Sequence, residues 1–175
     1  MLRDRLAGGP VFSQAPSSVM TQQSAGILLF KYGDGRLRVM LVHPGGPFWA
    51  RKDEGAWSIP KGLLEENEDP LEAAKREFQE ETGIAVQGEL IELGALKQPS
   101  GKVIYAWAHE RDLNVSEIRS NAFVVEWPRN SGNVREYPEI DRGQWFDAAE
   151  ARSKIVKGQA AFIDRLVEKL RHAAS

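Results

Sequence analysis

The sequence predicts one α/β domain in which helices pack on a mixed β-sheet. Two observations support this fold class. Short apolar runs of strand length recur along the chain, and two helical patterns lie among them, one near the middle and one at the end. The chain of 175 residues is long enough for one domain with a substantial hydrophobic core and too short for two full domains.

The first 22 residues are predicted to form a disordered tail, which precedes a domain of residues 23–175. The tail is rich in Gly, Pro, Ser and Gln and has neither a helical nor a strand period. Met20 lies just before the first strand-like run, so the sequence leaves open whether translation starts at Met1 or at Met20.

The first two strands are predicted to form a hairpin. Two apolar runs, residues 25–30 and 37–42, flank an Asp34-Gly35 turn. An Asp-Gly pair between apolar runs is typical of a tight hairpin connection. A long loop follows at residues 43–56, and its Gly and Pro content excludes a regular element there.

A central helix is predicted to begin after Asp69 and to end at Gly83. Asp69 suits the N-cap, Pro70 suits the first helical position, and Gly83 suits the left-handed C-terminal cap. Apolar residues at helical spacing, Ala74 and Phe78 among them, predict the face that packs on the sheet.

Further strands are predicted at residues 90–96, 103–109 and 122–127. The C-terminal part is predicted to be helical, with a short segment at residues 148–156 and a longer one at residues 159–172. The longer helix has an apolar face that we expect to be buried, and it comprises Phe162, Ile163, Leu166, Val167 and Leu170.

Composition excludes several classes of function. The formal net charge of -2 gives no indication of a surface for nucleic acid polymers. Cys is absent, which excludes disulfides, thiolate catalysis and Cys-ligated zinc. No apolar stretch approaches the roughly 18 residues of a membrane span. We therefore expect a cytoplasmic protein with neither a nucleic acid polymer nor a membrane as partner, and the oligomeric state stays open.

Acidic residues are concentrated between residues 62 and 84. On a helix Glu77, Glu80 and Glu81 share one face, where each pair of like charges costs about 0.2–0.5 kcal/mol. A hard divalent cation such as Mg²⁺ or Mn²⁺ would remove this repulsion, and no His or Cys that would favour zinc is nearby. Arg76 is expected to point about 100° away from Glu77 and not to neutralise the cluster directly. The alternative interpretation is an ordinary solvated helix face.

The spacing of these residues resembles the Nudix signature at every defined position. Gly62 is followed by five residues and Glu68, then by seven residues and the segment Arg-Glu-Phe-Gln-Glu-Glu-Thr-Gly-Ile at residues 76–84. The resemblance implies a Nudix-type α/β/α sandwich, with a mixed sheet flanked by helices. It also implies an enzyme that hydrolyses an acid anhydride of phosphorus in a nucleoside diphosphate-linked substrate. A catalytically silent Nudix-like nucleotide-binding module is the alternative of another class, and it normally lacks one of the signature glutamates.

The resemblance also assigns roles within the signature. Glu77, Glu80 and Glu81 are implied to bind Mg²⁺ or Mn²⁺ and to support catalysis, with the carbonyl of Gly62 as a further ligand. Such ions bridge phosphate oxygens and lower the pKa of the attacking water. Arg76 and Glu68 are expected to pair with one another or with the other carboxylates and to hold their rotamers.

Members of the family often recruit one more carboxylate, as base or metal ligand, from a loop well downstream. Three candidates occur here, Glu126, Glu136 and Glu139. Glu139 is favoured, because it lies in a turn just before a Trp-Phe strand and its position resembles that of the catalytic loop glutamate in diadenosine tetraphosphate hydrolases.

Two features predict the substrate class. Lys61 precedes Gly62, and this Pro-Lys-Gly sequence looks like that of hydrolases of diadenosine polyphosphates and diphosphoinositol phosphates. The loop at residues 43–56 carries Trp49, Arg51 and Lys52, which are predicted to bind substrate by stacking on a base or by reaching phosphates. We therefore predict dinucleoside polyphosphates such as diadenosine tetraphosphate, with (d)NTPs or nucleotide sugars as the alternative. Base specificity and the phosphorus attacked stay open.

Overall fold

A computed structural model describes residues 22–174 of the chain. The predicted tail therefore lies almost wholly outside the described residues. Met20, the alternative start of translation, also lies outside them. The strands are β1 Gln23–Gly33, β2 Arg36–Pro44, β3 Lys61–Leu63, β4 Ile91–Lys97, β5 Val103–Glu110, β6 Ala122–Glu126, β7 Val134–Pro138 and β8 Ile140–Asp147. The helices are α1 Pro70–Thr82, α2 Ala148–Lys154 and α3 Ala160–Ala174.

The main sheet is mixed, as the sequence predicts. Its strand order is β4-β5-β1-β2-β8, and β3 pairs with β1 off this path. The pair β1–β5 is parallel, and the other neighbours are antiparallel. The predicted hairpin is confirmed, because β1 pairs with β2 through a turn in which Asp34 and Gly35 have φ angles of 54° and 76°.

Strand β1 is buried on both faces and separates two hydrophobic layers. Ala25, Ile27 and Leu29 pack in one layer with α1, and the alternate residues Leu28 and Phe30 pack in the other. The second layer also contains Phe162, Ile163 and Leu166 of α3. Each fully buried large apolar side chain contributes roughly 1.5–3 kcal/mol. Helices therefore cover both faces of the sheet, which confirms the α/β/α sandwich.

Helix α1 has the predicted caps. The Asp69 carboxylate accepts hydrogen bonds from the backbone N–H groups of Leu71 and Glu72, and Gly83 ends the helix with a φ of 82°. The predicted apolar face is buried through residues that include Ala73, Ala74 and Phe78. This burial fixes the rotation of the helix, so Glu77 and Glu81 are turned towards β3.

Strands β6 and β7 form a two-stranded hairpin apart from the main sheet. The sequence predicts β6 but not β7, whose Val134-Arg135-Glu136-Tyr137 segment is largely polar. The predicted turn at Glu139 joins this hairpin to β8, where Trp145 and Phe146 lie. Within residues 22–174, no helix is both long enough and apolar enough to cross a membrane.

Candidate active site

Gly62 of β3 lies directly against Glu77 of α1. Gly62 pairs with Ala25 of the central strand, which holds β3 against the acidic face of the helix. A Cβ atom added to Gly62 would overlap the carboxylate of Glu77. Any side chain here would displace the Glu77 carboxylate, so the glycine allows that carboxylate to lie against β3.

Glu81 lies beside Gly62 in an environment that disfavours its charge. Burial raises the pKa of the Glu81 carboxyl to about 8, although the N–H of Lys61 donates a hydrogen bond of 3.2 Å to its Oε1. The neighbouring carboxylates of Glu77 and Glu139 raise this pKa further. Burial is also the main reason why the pKa of Glu77 is raised. The carboxylates of Glu77, Glu81 and Glu139 are therefore close enough to influence one another's protonation.

Arg76 connects the remaining acidic residues. Its Nε and Nη2 atoms lie 2.8 and 3.0 Å from the two oxygens of Glu68, and Nη2 also donates to the carbonyl of Leu63 at 2.9 Å. Its Nη1 lies 2.6 Å from Glu77 Oε2 and 2.9 Å from Glu80 Oε2. The expected pairing of Arg76 with Glu68 and with other signature carboxylates is thus present.

The expectation that Arg76 would not neutralise the cluster directly is wrong. Arg76 leaves the helix about 100° from Glu77, but its side chain is long enough to bring the guanidinium back over that face. The position of Glu80 one turn further along the helix draws it in the same direction. Arg76 also holds the pKa of Glu68 below its usual value.

The three downstream candidates occupy different places. The carboxylate of Glu126 accepts hydrogen bonds from the N–H groups of Asn130 and Gly132 and so stabilises the hairpin turn. Glu136 pairs across the hairpin with Val124, which is exposed. Glu139 lines the same cavity as Glu81. The favoured candidate is therefore the one that the fold brings to the signature carboxylates.

This cavity has a volume of about 570 Å³, within the range of about 300–1,000 Å³ that is typical of ligand sites. Its charged lining residues are Lys61, Glu81 and Glu139. Most of the other lining side chains are apolar, and they come from the loop after β2, from β6 and from the start of β8. They include Phe48, Trp49, Phe123, Val125, Trp127 and Ile140.

The structure separates the predicted substrate-binding residues into two groups. Lys61 and Trp49 line the cavity, whereas Arg51 and Lys52 do not. The Nζ atom of Lys52 lies 4.3 Å from the centroid of the Phe48 ring, and the carbonyl of Lys52 is 2.7 Å from Nε2 of the buried His43. Lys52 thus supports the loop that carries Phe48 and Trp49.

The sequence did not identify the contribution of β6. Phe123, Val125 and Trp127 alternate along the predicted strand at residues 122–127, and this period of two was the available signal for a shared face. The alternation does not show what this face contacts, because β6 meets the loop after β2 only in the folded protein.

The donor set fits a hard divalent cation in its chemistry. The side chains of Glu77 and Glu81 offer carboxylate oxygens, and Gly62 lies against Glu77. Within residues 22–174, no three His, Cys, Asp or Glu side chains are already grouped as a metal site. Glu77 and Glu80 instead share Nη1 of Arg76, which supplies positive charge to that side of the cluster.

Comparison with known proteins agrees with this geometry. The sequence model of the NUDIX domain matches residues 20–166. The chain belongs to the Nudix family. Members of this family generally use divalent metal ions. The acidic helix α1 and the preceding Gly62 are therefore the Nudix signature seen in three dimensions.

Curated relatives of this Nudix chain include two RNA pyrophosphohydrolases. The one from Halorhodospira halophila is 44% identical over 109 residues, which cover 59% of this chain and 60% of the relative. The one from Stenotrophomonas maltophilia is 43% identical over 120 residues, which cover 62% of this chain and 56% of the relative. The chain therefore spans less than two thirds of the length of these relatives.

Solved Nudix structures share the fold. A Caenorhabditis elegans Ap4A hydrolase binary complex has a TM-score of 0.58 and 18% identity, covering 86% of this chain and 98% of that one. The NUDIX domain of Shewanella oneidensis NrtR, complexed with ADP ribose, has a TM-score of 0.58 and 17% identity, with 86% and 88% covered. At these identities the likeness establishes the architecture alone.

Proposed function

We propose that the protein is a divalent-metal-dependent hydrolase of a phosphorus anhydride in a nucleotide, with dinucleoside polyphosphates as the substrate class. One observation carries this proposal. Glu81, Glu139 and Lys61 line the same cavity as a set of aromatic side chains. A nucleotide combines a planar base with charged phosphates, and this cavity offers a matching partner for each.

The metal would be held by Glu77, Glu80 and Glu81 together with the carbonyl of Gly62. When bound, Mg²⁺ or Mn²⁺ neutralises phosphate charge and lowers the pKa of water. The Glu139 carboxylate accepts a proton from the attacking water, as a general base does. Lys61 offsets the charge of the phosphate chain. Arg76 and Glu68 hold the rotamers of the acidic residues.

A second substrate class is supported by the relatives. The two curated relatives described above are named RNA pyrophosphohydrolases and are 44% and 43% identical over the matched segments. A triphosphorylated RNA end also presents a base beside a chain of phosphates, so the same cavity suits it. Its candidacy rests on the names of these relatives, whereas that of dinucleoside polyphosphates rests on the Pro-Lys-Gly segment and the position of Glu139.

The test is product analysis with the full chain, with Mg²⁺ and with a chelator. The panel contains diadenosine tetraphosphate, a 5′-triphosphorylated RNA oligonucleotide, dNTPs, ADP-ribose and a nucleotide sugar. We expect metal-dependent release of ATP and AMP from diadenosine tetraphosphate. Turnover of the RNA alone would select the second class, and turnover of dNTPs or the sugar alone would reject both. If no compound is cleaved although the protein binds Mg²⁺, the chain is a silent binding module and the enzymatic proposal fails.

A further inference from the structure

The two faces of the β6–β7 hairpin differ in what they contact. Phe123 and Val125 are partly buried and line the cavity, as does Trp127 just after the strand. Val124, between them, points to the opposite face and is 64% exposed. Strand β6 therefore presents its apolar residues to the cavity on one face and Val124 to solvent on the other.

Two consecutive glycines seat this hairpin on the loop after β2. A Cβ atom on Gly46 would lie 2.8 Å from Cζ of Phe123, so the phenyl ring lies directly over the glycine backbone. At Gly45 an added Cβ would overlap the carbonyl oxygen of Pro138. The N–H of Gly45 donates to the carbonyl of Glu139 at 2.8 Å. The same contact surface thus positions both Phe123 and the proposed catalytic glutamate.

The loop provides aromatic side chains to the same cavity. Phe48 and Trp49 stand edge to face with ring centroids 5.1 Å apart, and Phe48 is 55% exposed. Lys52 lies against the Phe48 ring. Trp127 is 44% exposed on the hairpin side. Large aromatic side chains that remain this exposed gain free energy when a planar ligand covers them.

We propose that the β6–β7 hairpin is the base-binding wall of the site. Phe123, Val125 and Trp127 contact one side of a nucleobase, and Phe48 and Trp49 enclose it from the loop. The proposal rests on the proposed function in that it places the phosphates of the same nucleotide beside Lys61. Because this wall offers mainly apolar and aromatic surface, it recognises the base by stacking, which any nucleobase can provide.

The experiment measures binding by calorimetry, with the full chain and Mg²⁺, to two ligands that contain no phosphorus anhydride and so are not substrates. The ligands are AMP and ribose 5-phosphate, which lacks the base. Phe123→Ala is compared with Val124→Ala, its neighbour on the opposite face, and Phe123→Leu serves if the alanine variant does not fold. We expect Phe123→Ala to raise the Kd for AMP about 5- to 150-fold, the range that stacking supplies. Val124→Ala should change it by less than about twofold.

Ribose 5-phosphate separates base recognition from a general disturbance. Its Kd should be the same in both variants, and an equal loss of both ligands in Phe123→Ala would overturn the proposal. Failure of the wild-type protein to bind AMP would overturn it as well. If AMP binding shows the expected pattern but no nucleotide is hydrolysed, the proposed function is rejected and the base-binding role of the hairpin is retained. If hydrolysis occurs but Phe123→Ala leaves the Kd for AMP unchanged, only the base-binding role of the hairpin is rejected.

Discussion

The acidic end of the site, formed by Glu77 and Glu81, and its base-binding wall, the β6–β7 hairpin, are held in place in different ways. Glu77 and Glu81 lie on a capped helix whose apolar face is buried in the core, and Arg76 ties the neighbouring carboxylates together through several charged hydrogen bonds. The β6–β7 hairpin is a separate two-stranded sheet that meets the domain mainly at its base, near Gly45 and Gly46.

This difference indicates which part of the site serves catalysis and which part serves recognition of the base. A reacting centre requires carboxylates held within a fraction of an ångström, which a packed helix provides. A stacking surface tolerates more variation, because its contacts are apolar and weakly directional. We therefore expect changes at the acidic end to alter kcat and changes at the wall to alter KM.

The largest expected effect is that of Glu81→Gln. This change removes a carboxylate that can bind the metal ion while keeping the size of the side chain, so we expect kcat/KM to fall by about 10²–10⁴-fold. Steady-state rates with Mg²⁺ measure the change. Gln79→Ala, on the exposed side of the same helix, is the matched control. A Glu81→Gln variant with more than about a fifth of the wild-type activity would break the distinction between the two regions.

Glu139→Gln should have the next largest effect. Glu139 lines the cavity beside Glu81 and is the carboxylate that we propose accepts the proton, so its loss should lower kcat by at least about tenfold. Glu136→Gln, three residues earlier on the solvent face of the β6–β7 hairpin, should retain nearly full activity. Comparable losses in the two variants would show that the hairpin acts through its fold and not through the Glu139 carboxylate.

Gly62→Ala tests the packing of the acidic end. The new Cβ would overlap the Glu77 carboxylate and displace it. Displacing a metal ligand or its support typically costs about 10–100-fold in metal affinity, so the Mg²⁺ concentration for half-maximal activity should rise by that factor. Leu63→Ala alters the exposed neighbour and is the control. An unchanged Mg²⁺ requirement in Gly62→Ala would remove Glu77 from the metal site.

Gly46→Ala is expected to have the smallest effect and to act on the wall alone. Its Cβ would displace the Phe123 ring, so KM should rise by a few-fold, which corresponds to about 1 kcal/mol of binding free energy. The value of kcat should stay near that of the wild type. Gly101→Ala is the control, because Gly101 has a similar φ of 94° against 99° at Gly46 but has open space where its Cβ would be. If both variants raise KM equally, backbone strain explains the effect and the contact with Phe123 does not.

Local patterns predicted the helix that carries the acidic residues, including both of its ends. Asp69, Pro70 and Gly83 mark the ends of α1 because caps depend on neighbouring residues only, and the apolar period fixes which face is buried. The orientation of Arg76 was missed, because backbone geometry does not determine where a long and flexible side chain ends.

The sequence predicted the base-binding wall only in part. Strand β6 follows from its alternating apolar residues, but β7 carries charged residues at positions that face solvent and so gives a weak signal. Gly45 and Gly46 indicated a loop, whereas their role depends on contacts with Phe123 and Pro138 far along the chain. Such long-range contacts leave no pattern in a single sequence.

The most direct test of the central claim compares Glu81→Gln with Phe123→Leu in the hydrolysis of diadenosine tetraphosphate under the same conditions. We predict that Glu81→Gln lowers kcat by at least about 10²-fold and changes KM by less than about threefold. Phe123→Leu should raise KM by at least about fivefold and leave kcat within about twofold of the wild-type value. If both variants alter the same constant by similar factors, the site does not divide catalysis from base recognition between α1 and the β6–β7 hairpin.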